Sequence, residues 1–343
     1  MKALSGTLLP AHPKPLPDEL LTSWITRLAR DNGLKLQTFC EHVFGKSYQL
    51  WNRDIDRAAP DWLLDNLSRR TGTPHHIVER TTLLSYEGKL YRERHSAGQL
   101  RWILSAGIYH RTRRRFGVQF CSQCLSDDTE PYFRKYWRTA ALTICHTHQL
   151  LLHDRCPACQ ATVAFHRHEL GRPAVTQAGA MCACHVCKFD YRHAPTHPYI
   201  PYEASIGAVV DQVSAYVTTS CDAVNLGRMD VLHQFCKVMV SRRIPAKLQT
   251  YVAAQLAIPA LPIAPERQAF ELRSITERHH VIQLSAWLLA DIDTRLTAAW
   301  QAGAVRYNSL TREFPDPPIW YRELTMRFRR PYAGRQHRGG VLL

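Results

Sequence analysis

Apolar positions recur at helical spacing along most of this chain. Leu20, Leu21, Trp24, Ile25 and Leu28 share one face, with Asp18 placed to cap the helix and Gly33 suited to the left-handed residue that ends it. The four prolines between Pro10 and Pro17 make the preceding segment loop-like, and a second helix is expected over Leu36 to Phe44. Trp62, Leu63, Leu64 and Leu67 make a further face, followed by the turn Thr71-Gly72-Thr73-Pro74. A helix beyond Pro74 that entered a DNA groove would present His75, His76, Glu79 or Arg80. Each pair has a helix-turn-helix outline, which is also the outline of any helical hairpin. Leu100, Ile103, Leu104 and Ile108 again keep helical spacing.

The pattern returns late in the chain. Residues 188–203, with Pro195, Pro198 and Pro201, read as a linker. Ile206, Val209, Val210, Val213 and Val217 form one helical face, and Val231, Leu232, Phe235, Cys236 and Met239 another. The positions from Ile282 to Trp300 predict one long amphipathic helix stopped by Gly303. The segment Tyr307 to Phe314 suits the second arm of another helix-turn-helix, and a last helix is expected from Trp320 to Arg330, then a mobile basic tail. The fold class is therefore mainly α with small zinc-binding modules. Its boundaries fall at residues 1–115, 116–195 and 196–343.

Between the helical stretches, spacing dictates chemistry. The chain reads Cys121-x-x-Cys124, Cys145-x-x-His148, Cys156-x-x-Cys159 and Cys184-x-x-Cys187. Two-residue spacers let neighbouring side chains face one ion, and four sulfur or nitrogen ligands in a tetrahedron suit zinc. Four half-sites make two complete sites, Cys₃His and Cys₄, so two Zn²⁺ ions per chain are expected. Cys182 competes with Cys184 and His146 with His148, and the half-sites can pair consecutively or interleaved. Consecutive pairing closes the shorter loops and costs less entropy. Disulfides would need a secreted chain, and no apolar signal core opens this one. Catalytic zinc needs an open position and a nearby carboxylate, but no H-x-E precedes Cys156. His166, His168 and Glu169 read as solvated.

Charge narrows the partners. Lys and Arg outnumber Asp and Glu 44 to 29, for a net +15. Two stretches supply most of the excess. Arg111, Arg113, Arg114 and Arg115 lie ahead of the metal region, and Arg327, Arg329 and Arg330 near the end. Filling both sites ionises seven thiols and leaves about +12, which still favours a polyanion, nucleic acid first. The run Tyr132-Phe133-Arg134-Lys135-Tyr136-Trp137-Arg138 can stack on bases and pair with phosphates, though Phe133 and Trp137 fit the small core of a zinc unit better. No run of 18 apolar residues predicts a membrane span, and metal-committed cysteines fit a reducing, cytoplasmic setting. Cys40, Cys221 and Cys236 fall in apolar helical contexts and read as core.

These parts, in this order, resemble the TniQ/TnsD transposition proteins. The resemblance is carried by Pro15-x-Pro17-x-Glu19-x-x-x-Ser23-Trp24-x-x-Arg27-Leu28-Ala29-x-x-Asn32-Gly33 and by Phe120-Cys121-x-x-Cys124-Leu125 with Tyr132-Phe133 and Trp137. Cys145-x-x-His148 with Leu151-Leu152, then Cys156-Pro157-x-Cys159, continues it. It implies an N-terminal helix-turn-helix domain, tandem zinc fingers and a C-terminal helical domain. It also implies a non-enzymatic adaptor that joins a target-recognition module to an AAA+ transposition ATPase. The target module in such systems is a DNA attachment site or an RNA-guided Cascade complex with its guide RNA, on which relatives sit as a homodimer. A zinc-containing DNA-binding transcriptional regulator is the competing class.

Overall fold

The computed structural model describes residues 7–46, 50–95, 98–106, 115–167, 180–219, 225–241, 247–262 and 268–329. The fold is mainly helical. Five helices build the N-terminal part: α1 (Leu21–Asp31), α2 (Leu36–Phe44), α3 (Ile55–Ala58), α4 (Asp61–Thr71) and α5 (His75–Glu79). Their shared core gathers Leu21, Trp24, Ile25, Leu28, Phe39 and Leu63, all fully buried. The proline-rich entry is packed rather than loose, because the Trp24 indole donates to the Pro13 carbonyl at 2.9 Å. Lys14 Nζ meets the Thr71 and Gly72 carbonyls at 2.6 and 2.8 Å, a cation on the negative end of α4. Gly72 takes the left-handed conformation there, at φ 59°.

Asp18 does not cap α1. It sits at φ 55°, and its carboxylate instead accepts the Tyr136 N–H at 3.2 Å, so its acceptor is spent on the metal region. Residues 100–104 are not helical either. Trp102 takes φ 62° and Ile103 bridges Thr139, because Leu104 N–H and Ala140 N–H pair across to Arg138 and Trp102 carbonyls at 2.9 and 2.7 Å. Ile108 lies outside the described residues.

Among the described residues of the middle, a short helix α6 (Ser122–Asp127) and one hairpin, β1 (Ile144–Cys145) with β2 (Leu150–Leu151), stand beside short 3-10 turns. The stretch expected as a linker extends this hairpin. Leu151 N–H donates to His197 and Tyr199 N–H to Gln149, both at 2.8 Å. Pro198 bridges Leu150 there, an edge position that asks proline for no donor.

The C-terminal part contains α7 (Ala204–Thr219), α8 (Leu226–Met239), α9 (Lys247–Gln255), α10 (Ile275–Ala290), α11 (Ile292–Gln301), α12 (Tyr307–Thr311) and α13 (Ile319–Met326). The single helix expected over 282–300 is two. Asp291 leaves helical geometry at φ −142° and accepts the Thr294 N–H at 3.4 Å, so it caps a new helix. The last helix is shorter than expected, ending at Met326, and the tail expected from residue 330 lies outside the described residues. One hydrophobic cluster takes in Leu20 and runs from Leu83 through the metal region to Phe328, a second core beside that of the N-terminal helices. Among the described residues no helix is long and apolar enough to cross a membrane.

Candidate metal centres

The backbone builds the half-sites before any ion is considered. After Cys145, Cys156 and Cys184 the chain makes the same turn. Gln149, Gln160 and Lys188 donate their N–H to those cysteine carbonyls at 2.8, 2.9 and 3.0 Å. All three adopt left-handed φ, at 52°, 60° and 66°. None is glycine, so the closure at each turn is held against a real steric cost. Cys121 is different, opening helix α6 so that Cys124 returns one turn later on the same side.

These turns bring the eight expected residues together in two groups. Cys121, Cys124, Cys145 and His148 converge with ligand atoms within 4.8 Å of one another, as do Cys156, Cys159, Cys184 and Cys187. His148 presents Nδ1, which lies 3.6, 3.3 and 3.6 Å from the three sulfurs. In the second group the sulfurs of Cys156 and Cys187, and of Cys159 and Cys184, stand 3.6 Å apart. A tetrahedron of thiolates on zinc at 2.3 Å has edges of about 3.8 Å, so both donor sets fit such an ion.

The open choices are decided by place. Pairing is consecutive. His146 turns its ring to Tyr136, 5.0 Å between centroids, and stays out of the group. Cys182 is fully buried outside the second group, and burial pushes its thiol up to about 12. Cys40 and Cys236 are core residues, while Cys221 lies outside the described residues. Sequence gave no sign of the carboxylate that steadies the first group. Asp127 Oδ2 lies 3.0 Å from His148 Nε2, on the far side of the ring from the sulfurs. It orients the imidazole so that Nδ1 faces the three sulfurs. The two groups also differ in exposure: the first buries all three sulfurs, whereas Cys187 is exposed.

The aromatic-basic run is interior. Phe133 and Trp137 are fully buried. Arg138 is fully buried too, and its guanidinium meets Asp54 at 2.6 Å and Asp56 at 2.9 Å. Arg134 binds Asp128 at 2.7 Å and lies over Tyr132 and Trp137, and Lys135 faces Asp18 at 3.5 Å. These cations are engaged with acids of the same chain. His166 is not solvated as expected, since it stacks on Trp51 with centroids 4.8 Å apart, and His168 and Glu169 lie outside the described residues.

Of the basic stretches, Arg111, Arg113, Arg114 and Arg330 lie outside the described residues. Arg115 is half-buried and Arg329 exposed, while Arg327 pairs with Asp293 at 2.9 Å in an exposed contact. The described part therefore gathers no single arginine patch from these residues.

The N-terminal helices are seated on the metal region by one buried lattice of polar groups. Arg27, 1 % exposed, binds Glu19 and Glu130, each at 2.8 Å. Ser23 Oγ donates to Glu19 at 3.0 Å and accepts the Phe133 N–H at 3.0 Å. Leu20 N–H reaches the Phe133 carbonyl at 2.9 Å. The spaced motif from Glu19 to Arg27 is thus the seam between two parts of the molecule.

This seam and the first metal group lie inside a stretch, residues 10–152, that matches the family model described as TniQ. Over residues 10–152 the chain is similar to the TniQ family. The match takes in Pro15, Glu19, Ser23, Trp24 and Arg27 with all four members of the Cys₃His group. The second group and the C-terminal helices lie beyond it. No curated protein matches the chain.

Proposed function

We propose that this chain is a non-enzymatic target-selection adaptor in DNA transposition, joining a target-recognition module to an AAA+ transposition ATPase. The TniQ match over residues 10–152 carries the reading. The metal chemistry agrees with it. Each group supplies four sulfur or nitrogen donors, which fill a tetrahedral zinc ion and leave no position for a reacting water. Asp127 touches His148 on the side away from the sulfurs, where it supports a ligand and has no water to activate. Two Zn²⁺ ions would thus act as structural cross-links that hold α6, the hairpin and residues 180–190 in register.

The target module is the finer question, and the helix after Pro74 bears on it. Helix α5 has five residues, and the segment from Pro74 to Thr82 offers Arg80 as its one arginine, beside His75 and His76. That is a thin surface for gripping phosphates in a major groove. It supports recruitment through an RNA-guided Cascade complex over direct reading of an attachment site, with a homodimer as the assembly such a complex would receive.

An insertion assay tests the adaptor reading. Removing this chain from cells that carry the transposase and the ATPase should abolish targeted insertion, and Cys124→Ser should do the same. Targeted insertion at the full rate without the chain would refute it. Binding to the native target by the chain alone, tight and selective, with a log-log salt slope that flattens by about 0.9 for each phosphate contact removed, would replace the Cascade route with direct DNA reading. The same binding without an effect on insertion would favour the transcriptional regulator.

A further inference from the structure

A cleft of about 780 Å³ opens between residues 91–95 and 99–101 on one side and the C-terminal helices α8 and α12 on the other. It contains none of the metal-group residues. Arg92, Arg101, Lys237, Arg273 and Arg312 line it, against Glu93, Glu271 and Glu313. We propose that this cleft is a phosphate-binding site for a ligand of nucleotide size. The proposal stands on the cleft and does not depend on the adaptor reading.

Three features carry it. First, the cations are held in place. Arg92 Nη2 binds Asp230 at 3.0 Å and Arg101 Nη1 binds the other oxygen of the same carboxylate. Asp230 is itself fully buried, so one carboxylate behind the wall orients two forks and still leaves an excess of positive charge. Arginine forks fixed in this way match phosphate oxygens without paying to order long side chains.

Second, the acids in the lining are mostly spent. Glu271 is buried and gives Oε1 to the Trp102 N–H at 3.0 Å and to His233 Nε2 at 2.7 Å. Glu313 faces Lys237 at 3.8 Å. Glu93 alone stands on the rim without a described partner. Third, one cation retains its donors. Arg312 is exposed and makes no described side-chain hydrogen bond.

Size and multiplicity select the ligand. A single carboxylate would occupy one fork, whereas cations spread round a cleft of this volume fit a ligand with more than one phosphate charge. Such phosphates can come from a free nucleotide or from a single-stranded nucleic acid threaded through the cleft.

The test uses the full, metal-loaded chain with two probes. One is ATP without magnesium, followed by calorimetry. The other is a fluorescein-labelled single strand of about twelve nucleotides, followed by anisotropy. Arg92→Glu and Arg312→Glu, both at exposed positions and checked for fold by circular dichroism, should each weaken the bound probe by about tenfold or more. Lys35→Glu, an equal charge reversal outside the lining, should change it by less than about twofold. Saturable ATP binding with this pattern assigns a free nucleotide, and strand binding alone with this pattern assigns the nucleic acid. Failure of both probes to saturate, or an equal loss with Lys35→Glu, overturns the site.

Discussion

Asp154 Oδ2 accepts the backbone N–H of Ile275 at 2.8 Å. The bond joins the segment that holds the second cysteine group to the C-terminal helices. Asp154 stands two residues ahead of the metal-group residue Cys156, and Ile275 is the first residue of α10, around which α7, α8 and α9 pack. Arg278 reaches toward the same carboxylate at 3.8 Å and donates to Gln119 Oε1 at 3.1 Å. All three side chains are buried, so Asp154 balances a buried cation and accepts a free N–H at the start of a helix at once. Asp154→Ala should cost roughly 3–5 kcal/mol in denaturant unfolding, because it strands Arg278 without its acid. A loss below about 1 kcal/mol would show that the contact does not couple the two parts.

Chelation should reach farther than the metal groups. Metal binding in small modules contributes on the order of 10 kcal/mol per site to folding. The hydrophobic cluster around the metal region continues into α7, α8 and α10, whereas Leu21, Trp24 and Phe39 belong to a separate core. Hydrogen exchange after chelator treatment should therefore rise in residues 116–195 and in α10, with α1 and α2 protected longest. Uniform exchange over the whole chain would contradict this order.

The ligand assignment predicts a contrast between neighbours. Cys184→Ser should lose one of two zinc ions by elemental analysis, while Cys182→Ser keeps both. His148→Ala should cost the first ion, and His146→Ala should not. Asp127→Asn should keep the ion but weaken it by about tenfold or more in a competition titration, since it removes the charge behind His148. Zinc lost with Cys182 and kept without Cys184 would move the second site.

Acid should unpick the Glu271–His233 pair. Burial opposes ionisation of Glu271, but His233 and the Trp102 N–H hold its carboxyl below its ordinary 4.5. A depressed carboxyl stabilises the fold fully above its unfolded value and loses that contribution as pH falls through its folded value. At pH 7 Glu271→Gln should therefore unfold roughly 1–3 kcal/mol more easily than the natural chain. The gap should close below about pH 4.5. A gap that widened on acidification would reverse the sign and sink the argument.

The residues themselves explain what could be read beforehand. Cys-x-x-Cys and Cys-x-x-His spacing is a local constraint, and its geometry survives in any fold that closes the turn, so the eight residues that converge in two groups were visible in the chain. Helical faces such as Ile206 to Val217 were visible for the same reason, as period reports burial directly. What failed was long-range. Asp18 had the chemistry of a cap, yet Tyr136 claimed its carboxylate from more than a hundred residues away. Leu100 to Leu104 had helical spacing, but pairing with residues 138–140 imposed an extended path. Arg134 and Arg138 looked like phosphate ligands because nothing in the sequence placed Asp128, Asp54 and Asp56 against them.

The central claim is that this chain bridges, and co-capture measures bridging directly. The target complex, immobilised through its guide RNA or its attachment-site DNA, is incubated with the AAA+ ATPase in the presence and absence of the zinc-loaded chain. Retention of the ATPase only when the chain is present, and its loss with Cys124→Ser, is the predicted result. Equal retention of the ATPase without the chain would contradict the account.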